Sequence, residues 1–139
     1  MTLDKPIPAH LLGNMWAQSW GNIYDIVKPE QEMNVPDVTN ALDEQGYDEI
    51  KMVKQAENFF SSLGFAALPD TFYERSMFQK PDEREVQCHA SAWNVDETDD
   101  LRINMCIKKN GEEFNVIHHE LGNNYYQRAY KDQSMLYRR

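Results

Sequence analysis

With 139 residues, a formal net charge of -9 and an isoelectric point near 4.8, the chain has the size of one domain or a piece of one. Its acidity excludes the basic stripe that a phosphate backbone needs to shed its counterions, so nucleic acid is not an expected partner. The hydrophobic fraction of 41% is slightly low for a globular protein, but 12% aromatic residues favour a folded core over a disordered tail.

Met1 to His10 lacks the apolar core of roughly 7–15 residues that a signal peptide needs, and no run nears the roughly 18 apolar residues of a membrane span. Neither an export leader nor an anchor is expected in these residues. The first helix is expected from Pro8 to Trp20, with Leu11, Leu12, Met15, Trp16 and Trp20 near one face and Gly21 as its stop. Residues 28–36 are polar with two prolines and read as a loop. Asp37 then caps a short helix to Gln45, which Gly46 closes. Asp48 caps a longer one whose Ile50, Val53, Ala56, Phe60 and Leu63 follow the helical period up to Gly64. Pro69 and Asp70 start a short helix through Met77, and Lys80 to Arg84 is a charged turn.

Beyond that turn the period changes to two. Residues 85–93 and 101–107 read as strands of a hairpin joined by the acidic stretch Asn94 to Asp100, expected to be a solvated loop and nothing more. Cysteine count alone permits one disulfide or two free thiols. An antiparallel register in which Cys88 faces Cys106 has its midpoint at residue 97, the middle of the acidic loop, and this symmetry favours a cross-strand disulfide. Asn110, with Glu113 three residues on, caps a last helix to Lys131 whose buried stripe is Phe114, Ile117, Leu121 and Tyr125. Trp16, Trp20 and Trp93 are expected in the core, and His10 and His118 as packing or surface residues.

The last helix reads His118-His-Glu-Leu-Gly-Asn123, which is H-E-x-x-H with its second histidine replaced by Asn123. In the intact motif two imidazoles at i and i+4 share one helical face and meet one zinc ion, and the intervening glutamate polarises its water. His118 is no substitute: it lies about 100° around the helix from His119, and its own i+4 partner is Gly122.

Five stretches occur in an order that resembles the angiotensin-converting enzyme family, and its bacterial-type single-domain members most: Pro6 to Trp20, Phe59 to Gly64, Cys88-His-Ala-Ser-Ala-Trp93, His118 to Gly122, and Tyr130-Lys-Asp132. The resemblance spans nearly the whole chain. It implies a zinc peptidyl-dipeptidase, with a mainly α fold carrying one small antiparallel hairpin and residues 1–139 forming part of the catalytic domain. It implies His119 as the first zinc ligand and Glu120 as general base and later acid. His89 is implied as a substrate-binding histidine, the backbone of Ala90 and Ala92 as the edge to which an oligopeptide adds, and Gln18 as a holder of its C-terminal carboxylate. The Cys88 to Cys106 spacing also matches a disulfide of the family.

Two departures shape the functional expectation. Asn123 offers an amide oxygen where the second imidazole belongs, and the family's third ligand, a glutamate about 24 residues further on, falls past Arg139 in a site that needs three protein ligands. Zinc is therefore expected to be weak or absent in this chain and peptidase activity impaired. The runner-up is a non-catalytic pseudoenzyme segment that binds peptides or a partner chain, including the rest of a catalytic domain. A disulfide implies an extracellular or periplasmic setting, which the lack of a leader opposes unless the N-terminus lies upstream of Met1.

Overall fold

The computed structural model describes residues 5–30 and 36–138, so part of the expected loop 28–36 and the first four residues lie outside the described residues. The chain divides into two compact units, Met1–Val35 and Pro36–Arg139. The described residues are mainly helical, with five α-helices and one two-stranded antiparallel sheet, as the fold class expected.

In the N-terminal unit the expected helix from Pro8 to Trp20 does not form. A single 3-10 turn, Ala9–Leu11, gives way to a loop closed by the Ser19 N–H on the Leu12 carbonyl at 3.0 Å. Asn14 supplies the reason. Its side-chain oxygen accepts the N–H groups of Trp16 at 3.0 Å and Gln18 at 3.2 Å, giving the backbone non-helical partners. Gly13 adopts φ +76°, and a Cβ there would lie 2.7 Å from that of Ser19, so only glycine fits. Met15, Trp16 and Trp20 are consequently exposed, against the expectation of core tryptophans, and Leu12 and Ile23 are buried instead. A second 3-10 turn, Gly21–Ile23, runs into α1 (Tyr24–Val27).

The C-terminal unit holds the larger core, and its helices start where their caps predict. α2 (Val38–Glu44) is capped by Asp37, whose carboxylate accepts the Asn40 N–H at 3.1 Å. α3 (Glu49–Ser62) is capped by Asp48, which accepts the Lys51 N–H at 2.7 Å. The buried face of α3 centres on Met52, Val53 and Ala56, with Phe60 partly buried beside it. Ile50 and Leu63, expected on that stripe, lie on the exposed flank because the helix is rotated toward Met52. α4 (Asp70–Arg75) ends before Met77, since that residue leaves the helix to bond the sheet: its N–H reaches the Ile103 carbonyl at 3.0 Å and its carbonyl accepts the Met105 N–H at 2.9 Å.

The hairpin is shorter than expected, with β1 (Ser91–Asn94) paired to β2 (Leu101–Asn104). Ser91 opposes Asn104 and Ala92 opposes Ile103, which centres the ladder between Glu97 and Thr98 rather than on residue 97. The Cys88–Cys106 disulfide does form, with Cα atoms 5.0 Å apart. It lies beyond the end of the ladder and one residue out of its register, so it is not the cross-strand pair expected from symmetry.

The acidic loop is more than a solvated turn. Asp96 accepts the N–H groups of Asp100, Thr98 and Asp99 on one oxygen, which lowers its carboxyl below the usual range. The Arg102 and Arg75 guanidinium groups hold Asp100 down to about 2, and Asp99 pairs with Arg128 at 2.9 Å. α5 (Gly111–Tyr130) follows, capped by Asn110 on the Glu113 N–H at 2.8 Å. It lies against α3 and the hairpin through Ile117, Leu121 and Tyr125, while Phe114 of the expected stripe is only partly buried. Trp93 points away from this core, 57% exposed, because Ala92 and Asn94 on either side take the inward positions of the pleat.

Glu57 joins three segments. One oxygen accepts the Leu68 N–H at 2.7 Å and the other the Tyr73 hydroxyl at 2.6 Å. Burial, and then this bond to Glu57, pushes the Tyr73 phenol far above its ordinary value. Replacing Glu57 by Ala is expected to cost about 1–3 kcal/mol in urea unfolding, since the Leu68 N–H and Tyr73 hydroxyl lose a charged acceptor. In the parent chain Tyr73 keeps its proton when folded at a pH where the unfolded chain has released it. Stability should therefore be flat from pH 8 to 10 and fall as pH rises beyond about 10. A urea midpoint unchanged at pH 11 would contradict this.

Candidate metal and substrate site

α5 sorts its motif residues by face. Ile117 and Leu121 are fully buried, so the helix turns His119 and Asn123, four residues apart, together onto its exposed side. Glu120 sits between these faces at 7% exposure, with the Asn123 amide 3.5 Å from one carboxylate oxygen. Gly122 faces α3, where a Cβ would meet the Phe60 ring at an ordinary packing distance of 3.6 Å.

His118 turns toward the helix–helix seam. Its Nδ1 lies 2.7 Å from the Phe114 carbonyl, and its ring meets Phe114 and Phe59 edge to face at 4.6 and 5.7 Å between centroids. It packs, and does not join the His119 face.

The metal-donor set can be counted directly. Catalytic zinc takes three protein ligands plus water. This face brings one imidazole and an amide, and no group of three His, Cys, Asp or Glu that could hold a metal occurs among the described residues. On these residues alone the site does not fit a catalytic zinc.

β1 supplies the second component. The Val95 N–H bonds the Asp100 carbonyl at 2.9 Å in register with the ladder, so by the antiparallel alternation the backbone groups of residues 91, 93 and 95 face β2. Those of Ala92 and Asn94 face the other way, onto an edge where none has a hydrogen-bond partner among the described residues. Ala90 and Ala92 rest partly buried on the core, whereas Cys88 and His89 are exposed. Gln18 is exposed in the N-terminal unit, its N–H held by Asn14.

One important residue escaped the sequence reading. Asn124 is completely buried, and its amide donates to the carbonyls of Trp93 at 3.1 Å and Arg102 at 3.5 Å and to the Gln127 side chain at 3.2 Å. It clamps the motif helix to both strands at one ladder position. The signal was present: Asn124 stands seven residues from Ile117 and three from Leu121, a polar residue inside an apolar stripe. Arg128 is a further anchor, donating to the Ala66 and Ala67 carbonyls at 3.0 and 2.9 Å while pairing with Asp99.

The helix keeps the H-E-x-x-H pattern with Asn123 at its last position and is clamped beside an open antiparallel edge. The family model described as angiotensin-converting enzyme matches residues 1–139, and the chain belongs to that family. It is 49% identical to the angiotensin-converting enzyme of Bos taurus over 139 residues, 99% of this chain and 11% of that protein. Against the angiotensin-converting enzymes of Haematobia irritans exigua and Theromyzon tessulatum it is 44% identical, covering 96% and 95% of this chain and 22% and 21% of those proteins. The chain thus spans about a tenth to a fifth of the length of these relatives.

Proposed function

We propose that the chain is a segment of a peptidyl-dipeptidase catalytic domain, the enzyme class that releases dipeptides from the C-terminus of oligopeptides. By itself it carries the motif helix and the peptide edge without a working metal centre. The observation that carries this reading is the shared exposed face of His119 and Asn123, which offers one imidazole where the motif's chemistry needs two. His119 is the remaining family zinc ligand, and Glu120 keeps the position of the general base.

The open backbone groups of Ala92 support an extended peptide adding alongside β1, with Ala90 continuing the edge and His89 beside it. Gln18, within the N-terminal unit, keeps the role that the family resemblance implies for it, as a holder of a peptide carboxylate. The Cys88–Cys106 bond supports an extracellular or periplasmic setting. No helix among the described residues is long and apolar enough to cross a membrane.

Hydrolysis of a blocked tripeptide, with and without added zinc, tests the reading. Turnover is expected at the background of a Glu120→Ala control. Zinc-dependent cleavage that this control abolishes would show that another chain or residue completes the ligand set.

A pseudoenzyme segment that binds a peptide or partner chain is the second reading. It is favoured by the β1 edge, which has no partner among the described residues, and by apolar side chains left at the surface, among them Phe59, Leu63, Phe65 and Tyr126 at 44–63% exposure. The zinc affinity of an Asn123→His variant bears on the two, because only the first reading makes that affinity recoverable at position 123.

A further inference from the structure

We propose that the Cys88–Cys106 bond is a thiol-sensitive tether that positions the lead-in to the peptide edge, residues 87–90, and that its reduction frees this lead-in without unfolding the α3–α5 core. The inference extends the reading of β1 as a peptide edge and adds a control on it.

The two ends of the bond differ in support. Cys106 stands between Met105 and Ile107, whose N–H groups bond the Met77 and Phe78 carbonyls, each at 2.9 Å. That end is fixed on both sides. Cys88 belongs to a stretch, residues 79–90, that contains no helix or strand, and among the described residues its backbone makes no hydrogen bond to backbone elsewhere.

Polar ties to this stretch are few. The Lys80–Glu85 pair and the His89 N–H on the Gln87 side chain are internal to it. The tie outward is the Asn104 amide on the Gln87 carbonyl at 3.0 Å. No residue from 79 to 89 belongs to the buried core cluster, which passes from Phe78 to Ala90, and only Pro81 and Val86 of this stretch are half-buried. The disulfide is therefore the covalent attachment of this stretch and the Asn104 bond its polar one, beside the partial burial of Pro81 and Val86, and His89 and Ala90 follow directly in the chain.

Cys88 is exposed, so a small thiol can reach it. A thiolate attacks one sulfur, the S–S bond breaks as a mixed disulfide forms, and a second thiol resolves it. Two thiols are oxidised to their disulfide, and Cys88 and Cys106 are left as two protonated thiols. The ladder from Ser91 to Asn94 and the Asn124 clamp involve neither sulfur, so they persist while the lead-in loses its attachment.

Backbone ¹⁵N relaxation on the full chain tests this, comparing the oxidised protein, the protein reduced with dithiothreitol, and a Cys88→Ser/Cys106→Ser variant. In the oxidised chain the amides of Gln87 to Ala90 should have order parameters near about 0.8, falling below about 0.6 in both other samples, while Ile117, Leu121 and Ile103 stay unchanged. Unchanged values for Gln87 to Ala90 would overturn the proposal, because Asn104 alone would then suffice. Loss of order at Ile117 and Leu121 in step with the loop would also overturn it, making the bond a staple of the whole unit. Peptide binding does not enter this readout, so it is independent of the functional reading.

Discussion

Replacing Asn124 by Asp is expected to destabilise the folded chain by about 3–5 kcal/mol at pH 7, the range for a buried charge left without compensation. The native amide donates from a fully buried position into a cluster of three oxygens, those of Trp93, Arg102 and the Gln127 side chain. An ionised carboxylate donates nothing, so it would turn these attractive contacts into repulsion between oxygens while losing its own hydration.

The pH dependence gives this variant a signature. Among carbonyl oxygens the introduced carboxyl favours its protonated form, which keeps one donor, so its folded pKa lies above the unfolded value near 3.9. Between those two values the unfolded state binds fewer protons, and stability falls as pH rises. The deficit should be modest at pH 4 and grow toward pH 7. Asn124→Leu removes the donors without adding charge, and should cost about 1–3 kcal/mol independently of pH. Urea unfolding of both variants at pH 4 and 7 is the measurement. Equal, pH-independent losses would mean that position 124 only fills space and does not clamp the helix to the strands.

That clamp also marks the boundary between what the sequence made legible and what it hid. The caps at Asp37, Asp48 and Asn110 were readable because each side chain reaches an N–H only three residues ahead, a contact that needs no tertiary partner. The same locality misled at Pro8 to Trp20. Apolar spacing there satisfies a helix, but Gly13 and Asn14 offer the backbone a competing loop, and hydrophobic periodicity does not register that competition.

In the hairpin the cysteines located the turn correctly but not its register. The ladder is set by Asp96 gathering three N–H groups within the loop, and the disulfide lies beyond the ladder's end. The common exposed face of His119 and Asn123 was legible because four residues of helix fix it in advance. The outward backbone of Ala92 follows from strand pairing and Met77's claim on β2, which are non-local facts. The ion pairs of Asp99 and Asp100 depend likewise on arginines from α5, α4 and β2.

Restoring the motif by Asn123→His is expected to raise zinc affinity on the order of tenfold or more while leaving peptidase activity at background. The exposed face of α5 already presents His119, and position 123 lies one turn further along it, so a second imidazole needs no backbone change to meet the same ion. His118 cannot account for such a gain, since its Nδ1 is engaged by the Phe114 carbonyl and its ring is held by Phe59 and Phe114. Two imidazoles still fall one ligand short of a catalytic site, so Glu120 gains no acidified water and turnover should not appear. The check is competition for zinc against a chromophoric chelator by the parent chain, Asn123→His, and Asn123→His combined with either His119→Ala or His118→Ala, with tripeptide hydrolysis measured in parallel. Loss of the gain with His119→Ala and its retention with His118→Ala would establish the i, i+4 pair. An affinity indifferent to His119 would detach the helix from metal chemistry altogether, whereas turnover in Asn123→His would show that the missing ligand is supplied from elsewhere in these residues.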